Sequence, residues 1–271
     1  MIELIRDVEM RPYSNTLQKK MIEDKKRIRE SNNILISADK TGNIYEIEAK
    51  EYKKFLKNNV TSEYKKTDQG WVDGINSRAA AIAKKLELDD RIEAMSMNSA
   101  FLTVKDHKRS FATNVPDFRV INPGKTDMGK VSKIILEEVV SAYREAIGVN
   151  QWRSTSDVLN WFKGLKGKKD LRFLQFDIEK FYPSITKNLL SKAINKAKEY
   201  VQISKEEEDI IFHAREAVLS DQDGNVWVKK SDPRFDVTMG AFDGAECCEL
   251  VGLYILQKLE KVVSKNDVGL Y

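Results

Sequence analysis

Apolar positions along the chain change their period several times, and each change predicts an element. Residues 16–30 are dominated by charge and read as an exposed helix. Residues 34–37 and 44–47 alternate apolar with polar positions around Asp39-Lys40-Thr41-Gly42, which predicts a hairpin. Helical stretches are expected at 52–56 and 75–88, short strands at 101–104 and 119–121, and helices at 131–146 and 155–165. In the last of these, Trp161 and Phe162 lie at helical spacing with Val158 and Leu165 and read as core. Residues 171–178 are expected to form a short, mostly buried strand, carried by Phe173, Leu174, Phe176 and Ile178 and broken by Asp177. Pro183 stops that strand, and Ile185, Leu189, Leu190, Ala193, Ile194 and Ala197 follow at helical spacing. Further on come a helix near 210–218, a hairpin around 221–225, and a glycine-containing turn at 237–245. That turn enters an apolar helix through Leu250, Val251, Leu253, Tyr254, Ile255 and Leu256. The mixture predicts an α+β fold with a mainly helical region, one hairpin included, over residues 1–100.

Composition narrows the class. At 271 residues and 41% apolar content the chain suffices for one large core or two packed lobes. No run of eighteen apolar residues exists and the start has no signal-peptide pattern, so no membrane partner and a cytoplasmic or nuclear location are expected. Cys247 and Cys248 are adjacent on a predicted helix, point in different directions and are expected to stay reduced. The two histidines, His107 and His213, are far apart and give a zinc site little support.

The net charge of +4 is unevenly spread: +2 over residues 1–101, +6 over 102–175 and −4 over 176–271. A basic middle suits a surface that neutralises phosphates, or equally a solvated basic face. Aromatic residues interleave the basic ones at Phe111, Phe118, Trp152, Trp161 and Phe162, as stacking platforms or, more simply, as core.

The sharpest local pattern is Phe176-Asp177-Ile178-Glu179-Lys180-Phe181-Tyr182-Pro183. A carboxylate at the end of an apolar strand needs a partner, and its oxygens suit a hard cation such as Mg2+ or Mn2+. In nucleotidyl transfer two such ions stabilise the attacking and leaving oxygens. The plain alternative is that Asp177 caps the helix that follows.

This segment resembles the first palm motif of reverse transcriptases, an apolar strand, an Asp and an aromatic ring five residues on. The resemblance implies that Asp177 is a catalytic metal ligand, with the Ile178 carbonyl as a second metal contact, and that Tyr182 excludes the ribose 2′-hydroxyl. Upstream, Lys105-Asp106-His107-Lys108, then Phe118-Arg119-Val120-Ile121-Asn122-Pro123 and Gly129-Lys130-Val131-Ser132-Lys133, resemble in order the fingers of Penelope-like and other non-LTR, mobile-element enzymes. It implies that Arg119, with either Lys105 or Lys108, grips the incoming triphosphate, a role that suits a planar donor fork and a mobile point charge. Downstream, Met239-Gly240-Ala241-Phe242-Asp243-Gly244 sits where the second palm motif belongs, with Met where many relatives have Gln. Gly240 would allow close approach of nucleotide or template, and Phe242 would stack on a base or sugar.

The implied whole is a right-hand polymerase, with fingers at 101–170 and palm at 171–271, that adds deoxynucleoside triphosphates to a DNA primer on an RNA template. The resemblance also implies that the adjacent Asp-Asp hairpin and the thumb are missing, since only Tyr271 matches the hairpin's opening aromatic. The chain as it stands is then expected to be catalytically incompetent, because Asp177 alone cannot close a two-metal site. A different class stays open: a non-catalytic, palm-like module that binds nucleic acid.

Overall fold

The computed structural model describes residues 16–112, 116–149, 152 and 154–264; the expectation placed on Tyr271 lies outside them. The chain divides into two compact units, one of residues 1–58 and 102–119, the other of 59–101 and 120–271.

The first unit begins with the exposed helix α1 (Thr16–Glu30) and a hairpin, β1 (Asn33–Ser37) and β2 (Ile44–Glu48), paired antiparallel with Ile36 opposite Tyr45. Helix α2 (Ala49–Glu63) follows and buries Tyr52 and Leu56. The Tyr52 hydroxyl accepts the Leu102 N–H at 3.2 Å, which ties α2 to β4 (Phe101–Val104). β4 pairs with β5 (Phe118–Ile121), and the Phe55 and Phe118 rings meet at 4.8 Å. The Asp39 N–H donates to the Val104 carbonyl, so the hairpin tip sits at the end of β4.

The second unit is built around α3 (Gln69–Lys85), α5 (Asp127–Ile147), α8 (Lys187–Ala197), α9 (Lys205–His213) and α10 (Gly244–Leu259). Between them in sequence lie three short helices or less buried ones: α4 (Arg109–Ala112), which belongs to the first unit, and α6 (Thr155–Gly164) and α7 (Phe181–Ser184) in the second. Helix α5 starts where Thr126 Oγ1 accepts the Gly129 N–H and stops at Gly148, whose φ of +59° suits a glycine C-cap. It turns Ser132, Leu136, Val139, Val140 and Tyr143 inward, a helical stripe of buried positions. α10 is buried on most of its circumference, from Cys247 through Leu250, Val251 and Leu253 to Leu256, and so forms the middle of the core. Both cysteines are free and buried, as expected, and burial pushes each thiol up to about 12.

A three-stranded antiparallel sheet, in the order β3 (Tyr64–Thr67), β7 (Val226–Lys229), β6 (Leu219–Ser220), completes this unit. The class is therefore mixed α/β with small sheets, 52% helix and 13% strand, compatible with α+β.

Three expectations are corrected here. Residues 171–178 are not a strand: they run without regular structure, and Leu174 and Phe176 are 82% and 85% exposed. An apolar run on both faces specifies a central strand only when neighbours on either side take its N–H and C=O groups, and no described strand does so. Likewise α6 buries none of its residues, so Trp161 and Phe162 are not core. The helix expected near 210–218 lies earlier, at Lys205–His213, because Ser204 and Glu207 form a capping box that starts it there.

Candidate nucleotide-handling site

In the first unit the hairpin tip and the loop after β4 gather five charged groups. Arg119 donates from Nη1 to Asp39 Oδ1 at 2.6 Å, and the Asp39 side chain is only 5% exposed. Lys108 Nζ lies 3.3 Å from Asp117 Oδ2. Lys105 is half-buried, and its ammonium is held below the ordinary lysine value, first by burial and then by the Lys108 and Arg119 charges. Lys105 and Lys108, the alternative partners expected for Arg119, stand on one turn closed by the Lys108 N–H to the Lys105 carbonyl at 3.2 Å. Lys105 also donates its N–H to the Asp117 carbonyl.

Asp106 builds the loop that presents them. Its Oδ2 accepts from Thr41 Oγ1 at 2.5 Å, Tyr45 OH at 2.9 Å and Asn43 Nδ2 at 3.0 Å, all from the hairpin. These bonds, the one from Thr41 foremost, hold its carboxyl below the ordinary carboxylate value. Residues 33–48, which carry no chemistry of their own in the sequence, therefore brace the Lys105–Lys108 loop and Arg119. Among the described residues the Arg119 Nε and the second Asp39 oxygen have no partner, which leaves donor capacity on the guanidinium.

In the second unit, Asp177 lies in the exposed run 171–178, and Ile178 beside it is 42% exposed. Asp177 caps neither following helix: α7 has Lys180 at its N-cap without a side-chain bond, and α8 is capped by Thr186. Lys180 adopts φ +50°, a left-handed conformation that a lysine takes only when its surroundings impose it, and its Nζ sits 2.8 Å from Glu63 Oε1.

Tyr182 is half-buried with its ring against the start of α10, where a Cβ on Gly244 would stand 3.1 Å from Tyr182 Cε1. Pro183 next to it is held by Lys229, whose buried ammonium donates to the Pro183 carbonyl at 3.0 Å and to Asp236 Oδ1 at 2.9 Å. Tyr64 OH donates to the other Asp236 oxygen at 2.8 Å, and burial pushes its phenol upward. Tyr64, Lys229 and Asp236 were not anticipated. The one signal in the sequence was a lysine closing an apolar run, Val226-Trp227-Val228-Lys229.

Gly240 has φ +106°, and a Cβ there would come within 2.3 Å of the Asn122 carbonyl oxygen. The space a Cβ would take is thus filled by the chain itself, clamped by the Asn122 N–H bond to Met239 O at 2.8 Å. Phe242 carries Lys125 Nζ 4.8 Å and Lys130 Nζ 5.8 Å from its ring centre, so cations occupy the ring. Asp243 starts α10 with a carboxylate that caps no N–H. Instead it takes bonds from Ser132 Oγ and Arg215 Nη2, and Arg215, Asp243 and Ser132 are all fully buried. The cavity beneath this turn, lined by Asn122, Thr126, Thr238, Phe242 and Asp243, has a volume of about 30 Å3, far below the roughly 300–1,000 Å3 of a ligand pocket.

Among the described residues no group of three His, Cys, Asp or Glu side chains gathers to hold a metal ion. Asp177 and the Ile178 carbonyl by themselves do not fit a pair of magnesium ions, which need several anionic oxygens. No helix among the described residues is long and apolar enough to cross a membrane. Comparison with known protein families, with curated proteins and with solved structures finds no match.

Proposed function

We propose that the chain is the fingers and part of the palm of an RNA-directed DNA polymerase, a reverse transcriptase of Penelope-like or other non-LTR, mobile-element type. The observation that carries this reading is the contact of Tyr182 with Gly244, which brings together residues remote in sequence, one from each palm-like motif. The turn that joins Lys105 to Lys108, and the bond from the Lys105 N–H to the Asp117 carbonyl two residues before Arg119, support it. In this reading Arg119, with Lys105 or Lys108, holds the triphosphate by charge-assisted hydrogen bonds. Tyr182 rejects a 2′-hydroxyl by occupying its space. Asp177 contributes one anionic ligand to a magnesium ion. The RNA template and DNA primer are the partners.

The test is a calorimetric titration with dTTP and UTP in magnesium. dTTP is expected to bind more tightly than UTP, and Arg119→Ala to weaken dTTP by about tenfold to a hundredfold, the worth of one charge-assisted contact. Equal affinity for the two nucleotides in the unaltered protein, or an Arg119→Ala protein that binds dTTP as before, would overturn the reading.

A further inference from the structure

Residues 152–176 place aromatic rings and cations on one exposed surface of the second unit. α6 is well started, by a capping box between Ser154 and Asp157, yet it buries nothing. Its Trp161 meets Trp152 at 4.9 Å and Phe173 at 6.2 Å, and Phe162 meets Phe173 at 5.5 Å, so the rings form a connected strip. Phe162, Phe173 and Phe176 are 38%, 53% and 85% exposed. Ordinary monomers do not leave such a strip open without use.

Charge narrows what covers it. Between residues 161 and 176 stand Lys163, Lys166, Lys168, Lys169 and Arg172 against a single carboxylate, Asp170. All five cations are exposed, and none has an ion-pair partner among the described residues. Lys168 Nζ lies 5.6 Å above the Phe162 ring, so cation and ring share one patch. A second copy would set five cations against five more. A single-stranded polyanion with flat bases matches both features, with phosphates for the lysines and bases for the rings.

We propose that α6 and residues 165–176 form a binding surface for single-stranded nucleic acid, with bases stacked on Phe162, Phe173 and Phe176 and phosphates on Lys166, Lys168, Lys169 and Arg172. This goes beyond the polymerase reading and shares with it only a nucleic-acid partner. Neither Asp177 nor Tyr182 takes part.

The experiment is fluorescence anisotropy with labelled oligouridylate and oligothymidylate of about 12 nucleotides, over a salt series and without magnesium or nucleotide. Failure here is thereby separate from failure of nucleotide selection. Phe173→Ala with Phe176→Ala is expected to weaken binding by about tenfold per ring while the salt slope stays the same. Lys166→Ala, Lys168→Ala and Lys169→Ala together are expected to lower the slope by about 2. Lys84→Ala with Lys85→Ala, exposed lysines at the end of α3, is expected to change nothing. The two oligonucleotides separate an RNA from a DNA ligand, and preference for either supports the surface. The proposal is overturned if the protein binds neither oligonucleotide, or if the Lys84 and Lys85 changes cost as much as the others. It is equally overturned if sedimentation shows a dimer that the Phe173 and Phe176 changes split without altering affinity. Because those two side chains are more than half exposed, the variants are expected to keep the circular dichroism of the unaltered protein.

Discussion

Asp39 holds Arg119 by a 2.6 Å bond from a carboxylate that is almost entirely shielded from water. The residue that orients Arg119 thus comes from the hairpin tip, far from it in sequence. Asp39→Ala leaves a partly buried guanidinium without its partner and is expected to cost about 2 kcal/mol. Urea unfolding of the single variants Asp39→Ala and Arg119→Met and of the double variant measures their coupling. Additive losses would mean that the pair contributes nothing.

Asp106 makes stability depend on acid. Its pKa in the folded chain is below the ordinary 3.8, first because of the Thr41 hydroxyl. A depressed carboxylate contributes stability that is fully present above its unfolded value and lost as pH falls through the folded one. The expected loss therefore lies below about pH 4. Thr41→Val removes the leading cause and is expected to raise the Asp106 pKa toward 3.8, read by NMR titration of its carboxyl carbon. An unchanged titration would show that Asn43 and Tyr45 suffice.

The fully buried pair of Arg215 and Asp243 is costly to break from one side. Arg215 Nε and Nη1 have no partner among the described residues, so the guanidinium is already imperfectly solvated by the protein. Asp243→Ala strands that charge and is expected to cost about 3–5 kcal/mol. Arg215→Met combined with Asp243→Asn keeps an acceptor for the Ser132 hydroxyl and removes both charges, so it is expected to recover most of the loss. Thermal unfolding of the single and double variants decides it. A double variant no better than Asp243→Ala would contradict the account.

Two glycines give opposite expectations. At Gly240 a Cβ would overlap the Asn122 carbonyl and φ is +106°, so Gly240→Ala is expected to cost about 2 kcal/mol or more. At Gly42 a Cβ meets nothing within 4 Å, and Gly42→Ala is expected to stabilise by about 0.4–1 kcal/mol through the unfolded chain. Denaturant midpoints of the two variants test both.

Local signals in the sequence were strong where local chemistry fixes the structure. The 33–48 hairpin followed from alternation around Asp39-Lys40-Thr41-Gly42, and α10 from its unbroken apolar run. Strand β3 escaped notice because Tyr64-Lys65-Lys66-Thr67 has no apolar alternation; its pairing with β7 alone makes it a strand. Residues 171–178 failed in the other direction, since apolar content marks a strand only once neighbours accept its backbone groups. At the candidate site the order of Lys105, Lys108 and Arg119 pointed to a cluster. Its supports, Asp39, Thr41 and Tyr45, carried no signal, because a long-range ion pair or hydrogen bond leaves no periodic trace in the chain. Gly240 was readable as a close approach but not as an approach to Asn122.

The central claim is that Tyr182 screens the sugar of a bound nucleotide, and the affinity ratio of dTTP to UTP in Tyr182→Ala tests it most directly. Removing the ring opens the space beside Gly244, so the ratio is expected to fall toward one through tighter UTP binding, with dTTP affinity little changed. A Tyr182→Ala protein that folds normally and still discriminates as the unaltered protein does would contradict the account.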